Sequence, residues 1–315
     1  ASDVYKRQLL SSSLPVTAMR TSTSLMNSLV AVLMPMLLVK MCKMTDGEAV
    51  SLYGIAAGMA VPILFIPSSL IGSIAVVLAP ELSENFYRNR TERLKADVEK
   101  SLRAAMLIAL ALIPLLFSLG ETVGEVLFSN ELSGEIVQNC CIILLPMCLS
   151  MITNTVLNSM NREKATLGFY FCGAAATLVC IAALTPVIGV YSYVAGLAAS
   201  FVISAALNLR LLKKLCPGMK IWGYFMRGFA ACAMCCAFGR LLMGILQNYM
   251  PAIWSMIVCG VLLAAFGAAT FLLFKMYSFK PAIEWLRARR EKRRHTVKAQ
   301  YSSSTVSGAA EKLQR

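Results

Sequence analysis

The sequence predicts an all-α integral membrane protein with about eight transmembrane helices. Three observations predict it. The 315 residues are 58% hydrophobic and only 15% charged, with a mean hydropathy of +0.68, whereas a soluble domain carries roughly 25% charge. Apolar runs recur at close to the ~20 residues that a bilayer requires. The excess of Lys and Arg, which gives a net charge of +14, sits in short segments between those runs and in one tail. That is the pattern of cytoplasmic flanks under the positive-inside rule. The charge is therefore not read as a nucleic-acid surface, and no nucleic-acid partner is expected.

Taken in order, the spans fall near 16–39, 52–79, 104–120, 136–159, 165–186, 190–212, 223–246 and 252–274. Residues 1–13 are expected to be non-native or disordered, because ASDVYKRQ resembles read-through of a sequencing adapter. A six-helix transmembrane lobe is expected at 14–215, two additional transmembrane helices at 216–276, and a basic, partly disordered cytoplasmic tail at 277–315. Prolines inside the runs, among them Pro35, Pro62, Pro67, Pro114 and Pro146, are tolerated where neighbouring groups satisfy the freed backbone.

Lys and Arg alternate from loop to loop. Lys6, Arg7 and Arg20 precede or open span one. Arg88, Arg90, Arg93, Lys95, Lys100 and Arg103 separate spans two and three. Arg162 and Lys164 follow span four, and Arg210, Lys213, Lys214, Lys220 and Arg227 flank the link between spans six and seven. The tail from Lys275 onward holds eleven. The opposite side has Lys40 and Lys43, offset by Asp46 and Glu48, and a 121–135 loop with four glutamates and no base. Both termini are thus expected in the cytoplasm of a multi-pass cell-membrane protein. The tail reads as a topology anchor or as a segment drawn to anionic membrane lipids.

Eleven cysteines lie nearly all inside apolar runs, where free Cys packs as a small hydrophobe. Cys232, Cys235 and Cys236 have no second pair nearby, so no zinc site is expected. The single histidine, His295, excludes a His-based zinc site and a Ser-His-Asp triad. No cofactor, metal or enzyme activity is expected.

Polar groups inside spans are costly and mark pathways or helix contacts. Arg20, Ser24, Asn27 and Ser28 follow i, i+4, i+7 and i+8 and share one face of span one. Leu25, Leu29 and Val32 occupy the opposite face. Arg20 reads either as a snorkelling interface residue or as a phosphate ligand. Span four carries Thr153, Asn154, Thr155 and Asn158, with Asn154 and Asn158 one turn apart, as interhelical bonds or cavity lining. Gly54 and Gly58 form a GxxxG whose default reading is close helix packing. Arg240 lies near enough to the outer end of span seven to snorkel, with a substrate role as its alternative. The substrate-binding candidates are Arg20, Ser24, Asn27, Ser28, Asn154 and Asn158.

Leu52-Tyr53-Gly54, Pro67-Ser68-Ser69-Leu70-Ile71-Gly72, Leu78-Ala79-Pro80-Glu81-Leu82-Ser83 and Leu157-Asn158-Ser159-Met160-Asn161-Arg162 together resemble the polysaccharide-flippase superfamily. Lipid II flippases, oligosaccharide flippases and multidrug and toxin extrusion exporters belong to it. The resemblance covers most of residues 14–275 and is nearest to the stage V sporulation protein B branch. It implies a fold of two six-helix lobes, with this chain as the second lobe plus two extra C-terminal helices, and a missing N-terminal lobe in the full-length protein. It also implies flipping of lipid-linked oligosaccharide, peptidoglycan or polysaccharide precursors from the cytoplasmic to the outer leaflet by alternating access. Arg20 is the one candidate for the cationic role that cavity arginines play in lipid II flippases. The chain departs from some of those flippases where Ala56, Ala57 and Ala60 stand in place of an Asp–Arg pair.

Three other readings compete. A cation-coupled drug exporter of the same superfamily would call for a membrane carboxylate, and no acid sits at the centre of an apolar run. A membrane polysaccharide ligase or polymerase would call for a long outer loop with Arg, His or acidic groups. A non-transporting scaffold is disfavoured by the Arg20 stripe.

Overall fold

The computed structural model describes the backbone of residues 2–219 and 222–274 and the side chains of residues 17–219 and 222–274. The tail expected at 277–315 lies outside the described residues. The described residues up to 270 form one compact unit. The described residues are helical and contain no strand.

The helices are α1 (Ser2–Cys42), α2 (Asp46–Gly54), α3 (Val61–Leu64), α4 (Ile66–Tyr87), α5 (Thr91–Phe128), α6 (Glu131–Cys140), α7 (Leu144–Ser159), α8 (Glu163–Ile188), α9 (Tyr191–Leu215), α10 (Trp222–Leu246) and α11 (Ala252–Leu273). A π-helical turn, Ile55–Ala60, joins α2 to α3, and a 3-10 turn, Cys141–Ile143, joins α6 to α7. α1 begins at Ser2, inside the segment expected to be non-native or disordered. Among the described residues, nine helical stretches are long and apolar enough to cross a bilayer.

Two of those nine, Asp46–Leu64 and Ile66–Tyr87, run head to tail. The residue between them, Phe65, is right-handed helical (φ −90°, ψ −3°), and its N–H still donates to Val61 O at 3.0 Å. A helical residue cannot reverse a chain, so 46–87 is one bent rod of roughly 63 Å. Its packing agrees. The π-turn and α3 lie against α6, and α4 lies against α7, so the rod runs parallel to the 131–159 segment along both lengths. Ser83 Oγ donates to Ser159 O at 3.0 Å where the two end. The bend follows from Pro67, which has no N–H for Ile63 and crowds its carbonyl. The expected second span is therefore present but longer at both ends. Pro80 sits inside α4 and does not stop it.

Span three is also longer than expected. The mixed-charge segment 91–103 and the apolar segment 104–120 form a single helix that continues to Phe128. The outer loop expected at 121–135 shrinks to a reversal at Ser129-Asn130. Ser129 adopts the left-handed conformation (φ 50°) that ends α5, and Asn130 Oδ1 accepts the Ser133 N–H at 2.9 Å to start α6. The hairpin closes this tightly because Gly124 and Gly134 face each other with backbones in contact. A capping box does the same work before α2: Thr45 N–H donates to Glu48 Oε2 at 3.0 Å, and Glu48 N–H donates to Thr45 Oγ1 at 3.4 Å.

Small residues also set the α8–α9 pair. A side chain on Gly173 would stand 2.6 Å from Ser200 Oγ, and one on Gly196 would stand 3.1 Å from Thr177 O. Thr177 Oγ1 donates to Gly196 O at 3.1 Å across the same contact. α1 packs on α8, α9 on α7, and α5 on α4, α6, α7 and α10. α10 meets α5 where Gly239 touches Ser118, and Phe238 stacks on Phe266 of α11 with centroids 4.2 Å apart.

The GxxxG reading is corrected. A side chain on Gly54 or Gly58 would meet nothing within 4 Å, and both glycines are exposed. Close approach occurs at Gly120, Gly124, Gly134, Gly173, Gly196 and Gly239 instead. Gly124→Ala should therefore destabilise by about 1–3 kcal/mol through overpacking. Gly58→Ala should be neutral or slightly stabilising, since Ala favours a helix over Gly by roughly 0.5–1 kcal/mol. Thermal unfolding in detergent checks both, and equal midpoints would contradict the assignment of the contact.

Candidate functional site

Five helices and the rod's bend enclose a cavity of about 400 Å³. α1 contributes Met19, Thr23, Met26, Asn27 and Val30. Tyr53 and Phe65 come from the rod. α7 supplies Ser150, Met151 and Asn154, and α8 supplies Tyr170, Ala174 and Thr177. α9 closes it with Tyr193, Leu197, Ser200, Phe201 and Ser204. None of these eighteen side chains is charged.

The lining follows from helix periodicity. On α1 the inward residues Met19, Thr23, Met26, Val30 and Met34 recur at steps of three and four, and Val30 and Met34 are buried. On α9, Tyr193, Leu197, Ser200, Ser204 and Asn208 form one face by the same rule. Two aromatic pairs brace the walls. Tyr53 and Tyr193 meet edge to face with centroids 5.5 Å apart, and Phe65 and Phe201 meet at 5.9 Å.

An amide network lies behind the cavity. Asn208 of α9 is fully buried, and its Nδ2 donates to Thr153 Oγ1 at 3.0 Å and to Asn154 Oδ1 at 2.8 Å on α7. Thr153 Oγ1 spends its own proton on Leu149 O at 2.7 Å, so it can only accept from Asn208. That fixes the amide orientation. Asn208 Oδ1 is then buried without a partner among the described residues.

The expected site residues separate into three groups. Asn27 and Asn154 line the cavity together. Asn158 does not; its Oδ1 accepts from Thr166 Oγ1 at 2.8 Å and ties α7 to α8. Arg20, Ser24 and Ser28 are exposed on α1, about a quarter, a third and nearly half a turn, respectively, from its buried face. Ser28 Oγ donates to Ser24 O at 3.0 Å. The opposite flank of α1 is apolar and open, with Leu25 66% and Val32 70% exposed. Arg240 stands 3.8 Å from Glu121 in a half-exposed ion pair. The sequence reading missed Tyr53, Tyr170, Tyr193, Ser150, Ser200, Ser204 and Asn208. The i, i+4, i+8 spacing of Ser200, Ser204 and Asn208 in an otherwise apolar helix was the available signal.

No family model and no curated protein matches the chain. The cavity's lining offers hydroxyl and amide hydrogen bonds and aromatic faces, and no acid, base or thiol.

Removing the buried amide should matter more than removing an exposed hydroxyl. Asn208→Ala strands the bonds to Asn154 and Thr153 and should cost about 1–3 kcal/mol. Ser28→Ala should stay within about 0.5 kcal/mol. Thermal unfolding of the two purified variants makes the comparison, and equal shifts would mean that the network does not hold α7 to α9.

Proposed function

We propose that the chain is part of a membrane transporter that flips lipid-linked oligosaccharide, peptidoglycan or polysaccharide precursors from the cytoplasmic to the outer leaflet by alternating access. The observation that carries this reading is an uncharged cavity with hydroxyl and amide groups among apolar side chains inside the helix bundle, together with Arg20, exposed on α1, the helix that gives Met19 and Thr23 to the lining. A phosphate-linked sugar cannot cross hydrocarbon unaided. It requires a route with hydroxyl and amide groups for the sugar and a cation for the phosphate. The cavity and Arg20 supply these two chemistries. Arg20 is the anion ligand in this reading, since a guanidinium binds phosphate oxygens in pairs. The proposed transporter resembles the second lobe and extra helix pair of the polysaccharide-flippase superfamily.

The orientation belongs to the same proposal. The bases of the α4–α5 turn face the cytoplasm, and the α5–α6 turn faces out. The α4–α5 end is built for water. Glu84 pairs with Arg88 at 3.3 Å, Arg103 with Glu99 at 3.0 Å, and Asn85 Nδ2 donates to Asp97 Oδ2 at 2.7 Å.

Two measurements test this. In a flippase-deficient strain, the chain is expressed with whatever sequence flanks it in its genome. Arg20→Ala should abolish complementation and Arg20→Lys should keep part of it. Equal activity of both would sink the phosphate role, and failure of the parent would sink the transport reading. For orientation, a cysteine at Glu131 should react with an impermeant maleimide in intact cells, and one at Glu92 should not. Ser133, though nearby, is fully buried and would report nothing. The reverse labelling pattern would invert the topology.

A further inference from the structure

Resting on the transport reading, the cavity itself points to a narrower ligand. We infer that it is a subsite for one uncharged sugar ring, hexose or N-acetylhexosamine, and that it excludes the phosphate that accompanies such a ring in a lipid-linked substrate.

Three features of the lining carry the inference. The first is the count of idle hydrogen-bonding groups. The side chains of Asn27, Ser150, Ser200, Ser204, Tyr53, Tyr170 and Tyr193 make no hydrogen bond to another described residue. Ser150 and Ser204 are nonetheless only 3% and 7% exposed. Polar groups at that depth are ordinarily satisfied. Membrane-helix hydroxyls outside the cavity commonly turn back on their own helix, as Ser28, Ser69, Ser73 and Ser159 do. In the cavity Thr23 and Thr177 also bond backbone carbonyls, but the hydroxyls of Ser150, Ser200 and Ser204 stay available around one shared space, with Asn208 Oδ1, unpartnered among the described residues, behind them.

The second feature is the pairing of those groups with aromatic rings. A sugar ring has hydroxyls around its edge and C–H bonds on its faces. Tyr presents an apolar body and a polar tip, so Tyr53 and Tyr193, braced edge to face, can meet both parts. Asn27 and Asn154 bring amides that each donate and accept, which matches hydroxyls and an acetamido group.

The third feature is the lack of charge. A phosphate in this space would have no cation among the lining residues, and desolvating it without one is very costly. An organic cation would find aromatic faces but no carboxylate. Size permits a sugar: a cavity of about 400 Å³ lies toward the lower end of the roughly 300–1,000 Å³ of small-molecule sites.

The purified chain in detergent, titrated with free N-acetylglucosamine and followed by saturation-transfer NMR, tests this without any transport assay. The neutral sugar should bind saturably in the millimolar range. N-acetylglucosamine 1-phosphate should bind at least about tenfold more weakly, and tetraethylammonium should not compete. Tyr193→Ala should weaken binding by about tenfold, in line with loss of an aromatic contact. Ser200→Ala, a smaller change that leaves the fold intact, should weaken it several-fold, and Ser73→Ala, whose hydroxyl bonds its own helix outside the cavity, should leave it unchanged. No saturable signal from the parent, equal binding of the phosphate, displacement by tetraethylammonium, or parental affinity in both Tyr193→Ala and Ser200→Ala would each overturn the inference. The two readings fail separately. Sugar binding without complementation removes the transport role and keeps the subsite, whereas complementation without sugar binding does the reverse.

Discussion

Hydrocarbon offers no partner to a peptide N–H or C=O, so the backbone must satisfy itself wherever it lies in a bilayer. The bent rod 46–87 shows how the chain obeys. Pro62 and Pro67 each remove a donor, yet the helix does not open into a loop. Phe65 N–H is shared between Val61 O and Pro62 O at 3.0 and 3.2 Å, and Ser68 N–H donates to Phe65 O at 2.9 Å. Just past the bend, Ser69 Oγ donates to Ile66 O at 2.8 Å and Ser73 Oγ to Ser69 O at 2.9 Å. The Ser69 and Ser73 hydroxyls are thus spent on their own helix. The bend they support carries Phe65 into the cavity wall, and the π-turn earlier in the rod begins two residues after Tyr53, another wall residue.

The same constraint explains which parts of the structure were legible in the sequence. Span existence follows from apolar length, and the helix hairpins fall where apolar runs pause. Helix ends were less legible, because a charged segment such as 91–103, rich in Glu, Lys, Arg and Leu, is a good helix former that extends a span beyond its apolar part. The apolar pattern marks where lipid is, and the helix obeys its backbone hydrogen bonds. Glu121 and Glu125 were read as a loop for that reason, although Thr122 and Gly124 between them are buried in the α5–α6 hairpin.

Helix contacts were the least legible feature. Gly54 and Gly58 have the spacing of a packing motif but are exposed, while Gly124 and Gly134 lie on different helices and share no motif. A small residue permits close approach; whether a neighbour arrives depends on the turn that aims it. Here the left-handed Ser129 and the Asn130 cap bring α6 back onto α5. The polar residues divide in a similar way. Asn154 and Asn158 are one turn apart and were read as a pair. The crossing of α8 and α9 over α7 gives Asn158 to Thr166 and leaves Asn154 at the cavity, held by Asn208. Asn208 was missed because it completes a face that begins with Tyr193, four turns earlier, and only the pairing of α9 with α7 gives that face a destination.

The separation of charge from hydroxyls bears most directly on mechanism. Arg20 sits about a quarter turn around α1 from the residues that face the cavity, on a flank that is exposed. A cation inside the lining would raise affinity for phosphate, but it would also stand uncompensated among eighteen uncharged side chains in a low-dielectric space. Keeping the guanidinium outside avoids that cost and divides recognition by chemistry. In the proposed flippase the ring would be held by neutral, weak and individually replaceable contacts, and the anion by Arg20. Transport favours such a division, because a substrate that must leave as readily as it enters cannot be gripped tightly at every point. In the proposed flippase, release on the far side then depends on loosening one ionic contact at α1, while the sugar contacts, each worth little, need no separate switch.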